Sequence, residues 1–457
     1  MFKSKLIKMA VIVFVSLALS GVANGAPRPE QANINWRQFE GSKLRVLFVA
    51  HMWQEAIEPY IKEFEQLTGI KVEVDVMAED LYWTRITPAL SAKSPPFDLF
   101  FTTEGYNTWS YFTNGWLEPL DKFMNNPQLT DSDWYDINDI PRPFQEGFVL
   151  PDPKGGNLFA IPITTEVYIN YYRKDIFQER GIDVSGLKSI DAWLEVTREL
   201  NSALKPRIYG AAVRGGEVGI LDELTAMTFN YWGDLPYVFG RCMYLDEKWY
   251  PRFTHPRIVE AFATWGELMK NSPPGVTAYT WYDVVKAFGQ GIAATIWFDA
   301  SLFAPQFENP EKSTVVGKVG YAVVPQTKYG HKTAFWTWGL GIPSRSPHGE
   351  AAWLFIQWAT SKYMEERTVP VTAGPTRMST LNSAEIMKRL PAGLPEVLEE
   401  SFKIAEPSLL YLGAAEELTR GMLDALHFIY QGETPEKAME KLQNKAVQIL
   451  RQAGYVE

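Results

Sequence analysis

Tryptophans and carboxylates near the ends of apolar runs are the residues best suited to chemistry in this sequence. The stretch KTAFWTWGLG places Trp336 and Trp338 two apart, so a strand would carry both rings on one face. Glu104, Glu166 and Asp299 lie within or just after other apolar runs. An indole ring packs on the C–H face of a ligand, and a carboxylate accepts hydrogen bonds from hydroxyl groups. Together these residue types fit a carbohydrate.

The full set of candidate ligand-binding residues lies at expected strand ends, in glycine-rich loops and in expected crossing strands. In open α/β sheets, ligands bind at loops that follow strands. Several candidates have structural alternatives: both tryptophans of the pair could pack in a core, Glu166 could only cap or bridge a hinge crossing, and Glu104 could be a solvated loop charge. The set is His51, Trp53, Glu104, Tyr106, Glu166, Glu217, Trp297, Asp299, Trp336 and Trp338.

Other classes of protein find little support in the sequence. There is no G-x-S-x-G nucleophile motif and no phosphate-binding loop, and none of the 5 histidines has the HExxH spacing of a zinc site. A net charge of −10 argues against nucleic-acid binding, which favours a basic face. We expect no enzyme activity, no cofactor and no metal. The candidate carboxylates leave a glycosidase pair open as the enzyme alternative.

The N-terminus has the three parts of a secretory signal. Lysines precede an apolar run from Met9 to Leu19, and small residues surround Gly25. The run is short for a membrane span, so we expect a signal peptide over residues 1–25 that is cleaved after Gly25. The mature protein is then exported, and periplasmic in a cell with two membranes. An uncleaved anchor is the alternative. The single cysteine, Cys242, cannot form an intrachain disulfide.

Strand and helix patterns alternate along the chain. KLRVLFV, IKVEVDVM and FDLFFTT predict strands, and residues 51–67 and 81–92 between them predict helices. This β-α-β-α-β order is typical of a parallel sheet covered by helices. Further along, residues 208–216 predict a strand that runs into a glycine-rich loop, and residues 349–368 predict one long helix. A chain of 457 residues without a clear linker favours two α/β lobes joined by several crossings.

Several motifs occur in an order that covers most of the chain. They include SPPFDLFFTTE, FTNGWLEPLDKFM, GGNLFAIPITTEVYINYYRKDIF, FGQGIAATIWFDAS and TWGLGIPSRSPHGEAAWLFIQWATS. Together they resemble the sugar-binding family of ABC-importer solute-binding proteins that includes maltose-binding protein. The resemblance implies a type II periplasmic-binding-protein fold, α/β with two hinged lobes. It also implies crossings near 163–167, 332–338 and 382–394, an N-terminal lobe of 26–165 plus 337–385, and a C-terminal lobe of 166–336 plus 386–457.

The resemblance also implies a function. A monomeric substrate-binding component would capture a sugar or small oligosaccharide between the lobes and deliver it to the transmembrane permease subunits. Glu166 and Glu217 match acidic positions of maltose-binding protein, and Trp297 falls where the family often offers an aromatic ring. Thr103 and Leu418 stand where aromatic residues are expected, which leaves the choice of sugar open. The alternative ligand for the same fold is a polyamine held by cation–π contacts, or another small polar solute.

Overall fold

The computed structural model describes residues 25–216 and 220–457, and it has the predicted α/β composition. Most of the expected signal peptide and residue Glu217 lie outside the described residues. The strands are β1 (Lys43–Val49), β2 (Lys71–Met77), β3 (Leu99–Thr103), β4 (Val149–Leu150), β5 (Asn157–Leu158), β6 (Ala160–Arg173), β7 (Thr295–Ala300), β8 (Val319–Ala322), β9 (Thr333–Gly341) and β10 (Ala405–Pro407).

Helices surround these strands throughout the described chain. In the first half they are α1 (Met52–Ile57), α2 (Ile61–Thr68), α3 (Glu79–Ser91), α4 (Tyr106–Thr113), α5 (Asp121–Met124), α6 (Ser132–Tyr135), α7 (Arg142–Glu146), α8 (Lys174–Glu179), α9 (Ile190–Leu204) and α10 (Ile220–Trp232). In the second half they are α11 (Pro256–Lys270), α12 (Trp281–Gly289), α13 (Ala304–Phe307), α14 (Gly349–Ala359), α15 (Lys362–Thr372), α16 (Met378–Leu381), α17 (Ala384–Met387), α18 (Leu394–Ile404), α19 (Ala415–Tyr430) and α20 (Pro435–Gln452).

The first lobe is built on the predicted β-α-β-α-β unit. β1 pairs in parallel with both β2 and β3, so the connecting helices must cross over the sheet. The helix expected over 51–67 forms as α1 and α2, with a 3-10 turn from Glu58 to Tyr60 between them. Pro59 lies in that turn, and its missing N–H interrupts the α-helical ladder. Apolar spacing therefore predicted the buried face correctly, while the proline divides the element.

Two long antiparallel strands, β6 and β9, connect the two lobes. The start of β6 pairs with the end of β9, which also pairs with β3 of the first lobe. The later half of β6 pairs with β7 and β8 instead, so β6 leaves the first lobe and enters the second. The expected crossings at 163–167 and 332–338 fall on these strands. The third falls on α17 and the segment before α18, and the lobe boundaries stay a prediction.

Two predicted elements differ from the structure. Residues 208–216 make only the isolated bridges Tyr209 to Ala293 and Ala212 to Ile296, because Gly215 and Gly216 both donate to the carbonyl of Tyr279 and leave the sheet. The helix expected over 349–368 is divided between α14 and α15. The Ser361 side chain caps α15 by accepting from the Met364 N–H, which begins a new helix at that point.

The described helices include none that is long and apolar enough to span a membrane. The same residues contain no cluster of His, Cys, Asp and Glu that could hold a metal ion.

Candidate functional site

The ends and crossings of the central strands place three carboxyl and indole groups next to one another. Glu104 follows β3, where its N–H donates to the Thr337 carbonyl at 3.0 Å and its Oε1 accepts from the Thr337 N–H at 3.2 Å. Glu166 on β6 lies opposite Trp336 on β9. The indole Nε1 of Trp338 donates to Glu166 Oε1 at 3.1 Å. The β6–β9 register therefore joins residues that are far apart in sequence.

Aromatic rings of the first lobe form one wall of the cleft. The Trp338 ring lies 4.8 Å from the His51 ring and stacks on Trp83 with a centroid distance of 5.9 Å. His51 caps α1, since its Nδ1 accepts from the Trp53 N–H at 3.1 Å. Burial lowers the pKa of His51 to about 3, so the imidazole is neutral at ordinary pH. The wall is therefore apolar and uncharged.

A second aromatic wall comes from the other lobe. Trp281 begins α12 and stacks on Phe303 with a centroid distance of 5.5 Å and an interplanar angle of 11°. The Arg214 guanidinium lies 6.0 Å from the same Phe303 ring. Sequence reasoning missed Trp83, Trp281 and Phe303. Trp83 lies on α3, where its indole donates to Glu79 four residues earlier, and Trp281 begins α12, so neither follows a strand.

An arginine surrounded by carboxylates forms the polar centre of the second lobe. Arg214 Nη2 lies 2.7 Å from Asp299 Oδ1 and 2.6 Å from Glu223 Oε1, and all three side chains are buried. Asp299 follows Phe298, which has a φ of 48° and donates its N–H to Asn170 Oδ1 at 3.0 Å. A buried phenylalanine in the left-handed region is strained, and such strain concentrates at functional sites. Here it turns the strand so that Asp299 meets Arg214.

Burial raises the pKa of several carboxyl groups around this centre. The pKa of Glu166 rises to about 8, partly offset by the Arg214 charge, and the pKa of Asp222 rises to about 7 for the same reasons. Burial also raises the pKa of Glu104 well above its ordinary value, and the nearby Asp222 and Glu166 carboxylates raise it further. Asp222, in the first turn of α10, is another residue that sequence reasoning missed. Burial therefore favours the protonated, uncharged form of the Glu166 carboxyl at neutral pH.

Contacts between the lobes show that the cleft is closed in this structure. The Trp281 indole donates to Glu79 Oε2 at 2.7 Å, and the Trp83 indole donates to Glu79 Oε1 at 3.0 Å. Lys312 Nζ lies 2.8 Å from Glu55 Oε2. A cavity of ≈370 Å³ lies between the lobes beside these contacts, with His51 and Trp281 in its lining. This volume is of the size that a small solute occupies.

The structure brings most of the predicted site residues together. His51, Glu104, Glu166, Trp336 and Trp338 line or support the cleft where β3, β6 and β9 meet. Asp299 joins them from the second lobe through Arg214. Tyr106 begins α4, and burial together with the Asp222 and Glu79 carboxylates raises its pKa. Glu217 lies outside the described residues.

Two predicted residues lie in the cores of the lobes instead. Trp53 is 1% exposed and packs edge-on against Phe48 and Phe101. Trp297 is 0% exposed, donates to Thr295 Oγ1 and packs edge-on against Trp193. In a regular strand Trp297 and Asp299, two residues apart, would lie on the same face. The positive φ of Phe298 between them breaks that regularity, so the sequence could not show that their surroundings differ.

Comparison with known proteins agrees with this architecture. The family model described as bacterial extracellular solute-binding protein matches residues 53–364. The erythritol/L-threitol-binding protein of Mycolicibacterium smegmatis is 28% identical over 451 residues, covering 95% of this chain and 92% of that protein. The mannitol-binding protein of Pseudomonas aeruginosa is 28% identical over 341 residues, covering 73% and 72%.

A solved structure shares the fold. The ABC transporter solute binding protein from Agrobacterium vitis, with bound D-mannitol, superimposes with a TM-score of 0.76 at 24% identity, covering 91% of this chain and 99% of that one. This likeness identifies the type II two-lobe fold that the sequence predicts.

Proposed function

The chain belongs to the family of bacterial extracellular solute-binding proteins, and we propose that it captures a polyol or small sugar between its lobes for delivery to an ABC permease. The observation that carries this proposal is the pairing of Trp338 with Glu166 beside the rings of His51 and Trp83. Apolar faces and hydrogen-bond acceptors alternate there over a few ångströms, as they do along a polyhydroxylated carbon chain.

The chemistry of the cleft matches such a ligand. A polyol presents C–H groups to a ring face and hydroxyl protons to carboxylate oxygens. The Glu166 and Asp222 carboxyl groups supply hydrogen-bonding oxygens, and the buried Arg214–Asp299 ion pair lies among them. Relatives of this chain are named for binding erythritol or L-threitol and mannitol, which supports a linear polyol over a ring sugar.

Capture by closure is the mechanism that we propose. Each wall belongs to one lobe, so neither lobe alone completes the site. A ligand that contacts both walls adds to the affinity between the lobes and shifts the population toward the closed form. The membrane subunits would then recognise the closed arrangement.

The alternatives fit the site less well. A polyamine would favour the carboxylates, but Arg214 already brings a buried positive charge into their centre. We therefore propose a neutral ligand. The family does not consist of enzymes, and we propose that the chain hydrolyses no glycoside. We also propose a monomeric, exported protein that binds no nucleic acid, with its signal peptide cleaved after Gly25.

A thermal-shift panel tests the proposed function. The protein from residue 26 onward is melted with erythritol, ribitol, mannitol, sorbitol, maltose or spermidine at increasing concentrations. A ligand that binds the folded state raises the melting temperature in a saturable way. A polyol or sugar is expected to do so, and a rise with spermidine alone would contradict the proposal. Incubation with nitrophenyl glycosides should release no nitrophenol.

A further inference from the structure

The two lobes also meet at a stacked aromatic pair beside the cleft. Trp109 on α4 stacks on Tyr411 with a centroid distance of 5.0 Å and an interplanar angle of 10°. Trp109 belongs to the first lobe, whereas Tyr411 lies in the segment between β10 and α19 that packs with the second. The Tyr411 hydroxyl also donates to the Glu146 carbonyl of α7 at 3.3 Å. Tyr411 therefore contacts the first lobe through both its ring and its hydroxyl.

Tyr411 is held in place from behind by a loop of the second lobe. Its N–H donates to the Gly240 carbonyl at 2.7 Å, and Arg241 forms a bridge with Leu410. Gly240 has a φ of 73°, and a Cβ there would lie 2.5 Å from Tyr411 Cδ2. A glycine is therefore required both for the backbone conformation and for the close approach of the ring. The Cys242 thiol donates to the Leu409 carbonyl at 2.9 Å.

The same segment lies directly next to the candidate site. A Cβ placed on Gly105 would lie 3.6 Å from the Leu410 nitrogen and 3.8 Å from Trp336 Cη2. Gly105 connects Glu104 to Tyr106, both of which belong to the cleft. The segment 408–411 thus lies beside the start of α4, next to the candidate site residues. The contact of Glu79 with Trp281 joins the lobes elsewhere, at α3 and α12.

We propose that the Trp109–Tyr411 stack is an end wall that limits the length of the ligand to that of a single short polyol or monosaccharide. This inference rests on the proposed function and narrows it. A chain extended by one more sugar unit would have to pass between Trp109 and Tyr411, which would separate the rings and lose the inter-lobe contact. A short polyol leaves the stack intact and allows full closure.

Isothermal titration calorimetry with maltitol tests the wall. Maltitol is sorbitol extended by a glucosyl unit, so its dissociation constant is compared with that of the tightest-bound among erythritol, ribitol and sorbitol. The ratio of the maltitol dissociation constant to that of the short polyol is measured for the wild type, for Tyr411→Ala and for Trp109→Leu. The last variant removes the indole ring that the first lobe contributes to the stack. Tyr250→Ala is the matched control, since Tyr250 is 50% exposed and lies outside the cleft.

The wild type is expected to discriminate against maltitol by at least a hundredfold. Either wall variant should reduce that ratio by tenfold or more, and the control should leave it unchanged. Binding of maltitol by the wild type as tightly as the short polyol would overturn the end wall while leaving the proposed function intact. An unchanged ratio in wall variants that still bind the short polyol would also overturn it. Failure of the wild type to bind any polyol or sugar would instead remove the proposed function, and the wall with it.

Discussion

The Glu79 carboxylate of the first lobe accepts a 2.7 Å hydrogen bond from the Trp281 indole of the second lobe. Its other oxygen accepts from the Trp83 indole at 3.0 Å. One carboxylate therefore joins the two aromatic walls of the cleft, and a separation of the lobes would break its bond to Trp281.

Replacement of Glu79 should weaken ligand binding by about tenfold to a hundredfold. Glu79→Ala removes a hydrogen bond to a charged group, worth about 1.5–3 kcal/mol, from the closed state alone. Calorimetry measures the affinity, and small-angle scattering of the ligand-free variant should show a larger radius of gyration. Glu55→Ala is the control, because its inter-lobe pair with Lys312 is exposed and such pairs contribute below about 1 kcal/mol. Equal losses in both variants would argue against a special role for Glu79.

Trp338→Phe should weaken binding while the protein remains folded. The ring face against His51 and Trp83 is largely kept, but Glu166 loses the Nε1 donor at 3.1 Å. A buried carboxyl without its donor holds a proton more firmly and is a poorer acceptor for a ligand hydroxyl. We expect a loss of about tenfold in affinity by calorimetry. Trp116→Phe, outside the cleft, should leave the affinity unchanged, and a Trp338→Phe protein with wild-type affinity would contradict the assignment.

The stability of the ligand-free protein should fall between pH 6.5 and pH 8. Burial raises the pKa of Glu166 to about 8 and that of Asp222 to about 7, so the folded state binds more protons than the unfolded state in this range. Stability then decreases with pH, by up to about 1.4 kcal/mol per pH unit for each proton. His51, with its pKa lowered to about 3, acts in the opposite direction only below pH 6.5.

Glu166→Gln is the variant that checks this pH dependence. Removing the carboxyl should make the change of melting temperature with pH less negative from about pH 5 up to pH 8, because throughout that range the folded state holds a proton on Glu166 that the unfolded state has lost. Melting curves at closely spaced pH values provide the measurement. A wild-type melting temperature that rises through this window would refute the assignment of raised pKa values.

Trp297 should matter for stability and not for binding. Its ring is fully buried against Trp193, so Trp297→Ala leaves a cavity that costs about 3–5 kcal/mol of folding free energy. The melting temperature should fall markedly, while the affinity measured on the folded fraction stays within about threefold of the wild type. An affinity loss as large as that of Trp338→Phe would return Trp297 to the site.

The first lobe could be predicted closely from the sequence because local patterns determine it. The runs that predict β1, β2 and β3 alternate with amphipathic helices, and the parallel pairing follows from that order. Local patterns indicated candidate positions just after a strand, as for His51 and Glu104, or near the end of one, as for Asp299 in β7. These positions are set by the ends of apolar runs, which a sequence displays directly.

Other parts of the site depend on contacts that no local pattern carries. Trp83 and Trp281 lie on different lobes, and both indoles donate to Glu79, which is 202 residues away from Trp281 in the sequence. Trp297 and Asp299 both lie near the end of β7, yet the positive φ of Phe298 between them turns their side chains into different surroundings. Asp222 lies in the first turn of a helix and enters the cleft only through the packing of α10 against β7 and β9. The positions of these residues are therefore determined by tertiary contacts between elements.

Titration of the intrinsic tryptophan fluorescence is the measurement to make first on the protein from residue 26 onward. Trp83, Trp281 and Trp338 all lie at the cleft, so a ligand that enters it must change their surroundings. We predict a saturable change with a short polyol or monosaccharide and none with spermidine or putrescine. A response to polyamines alone, or no response to any polyol or sugar while the protein is folded, would contradict the proposed function.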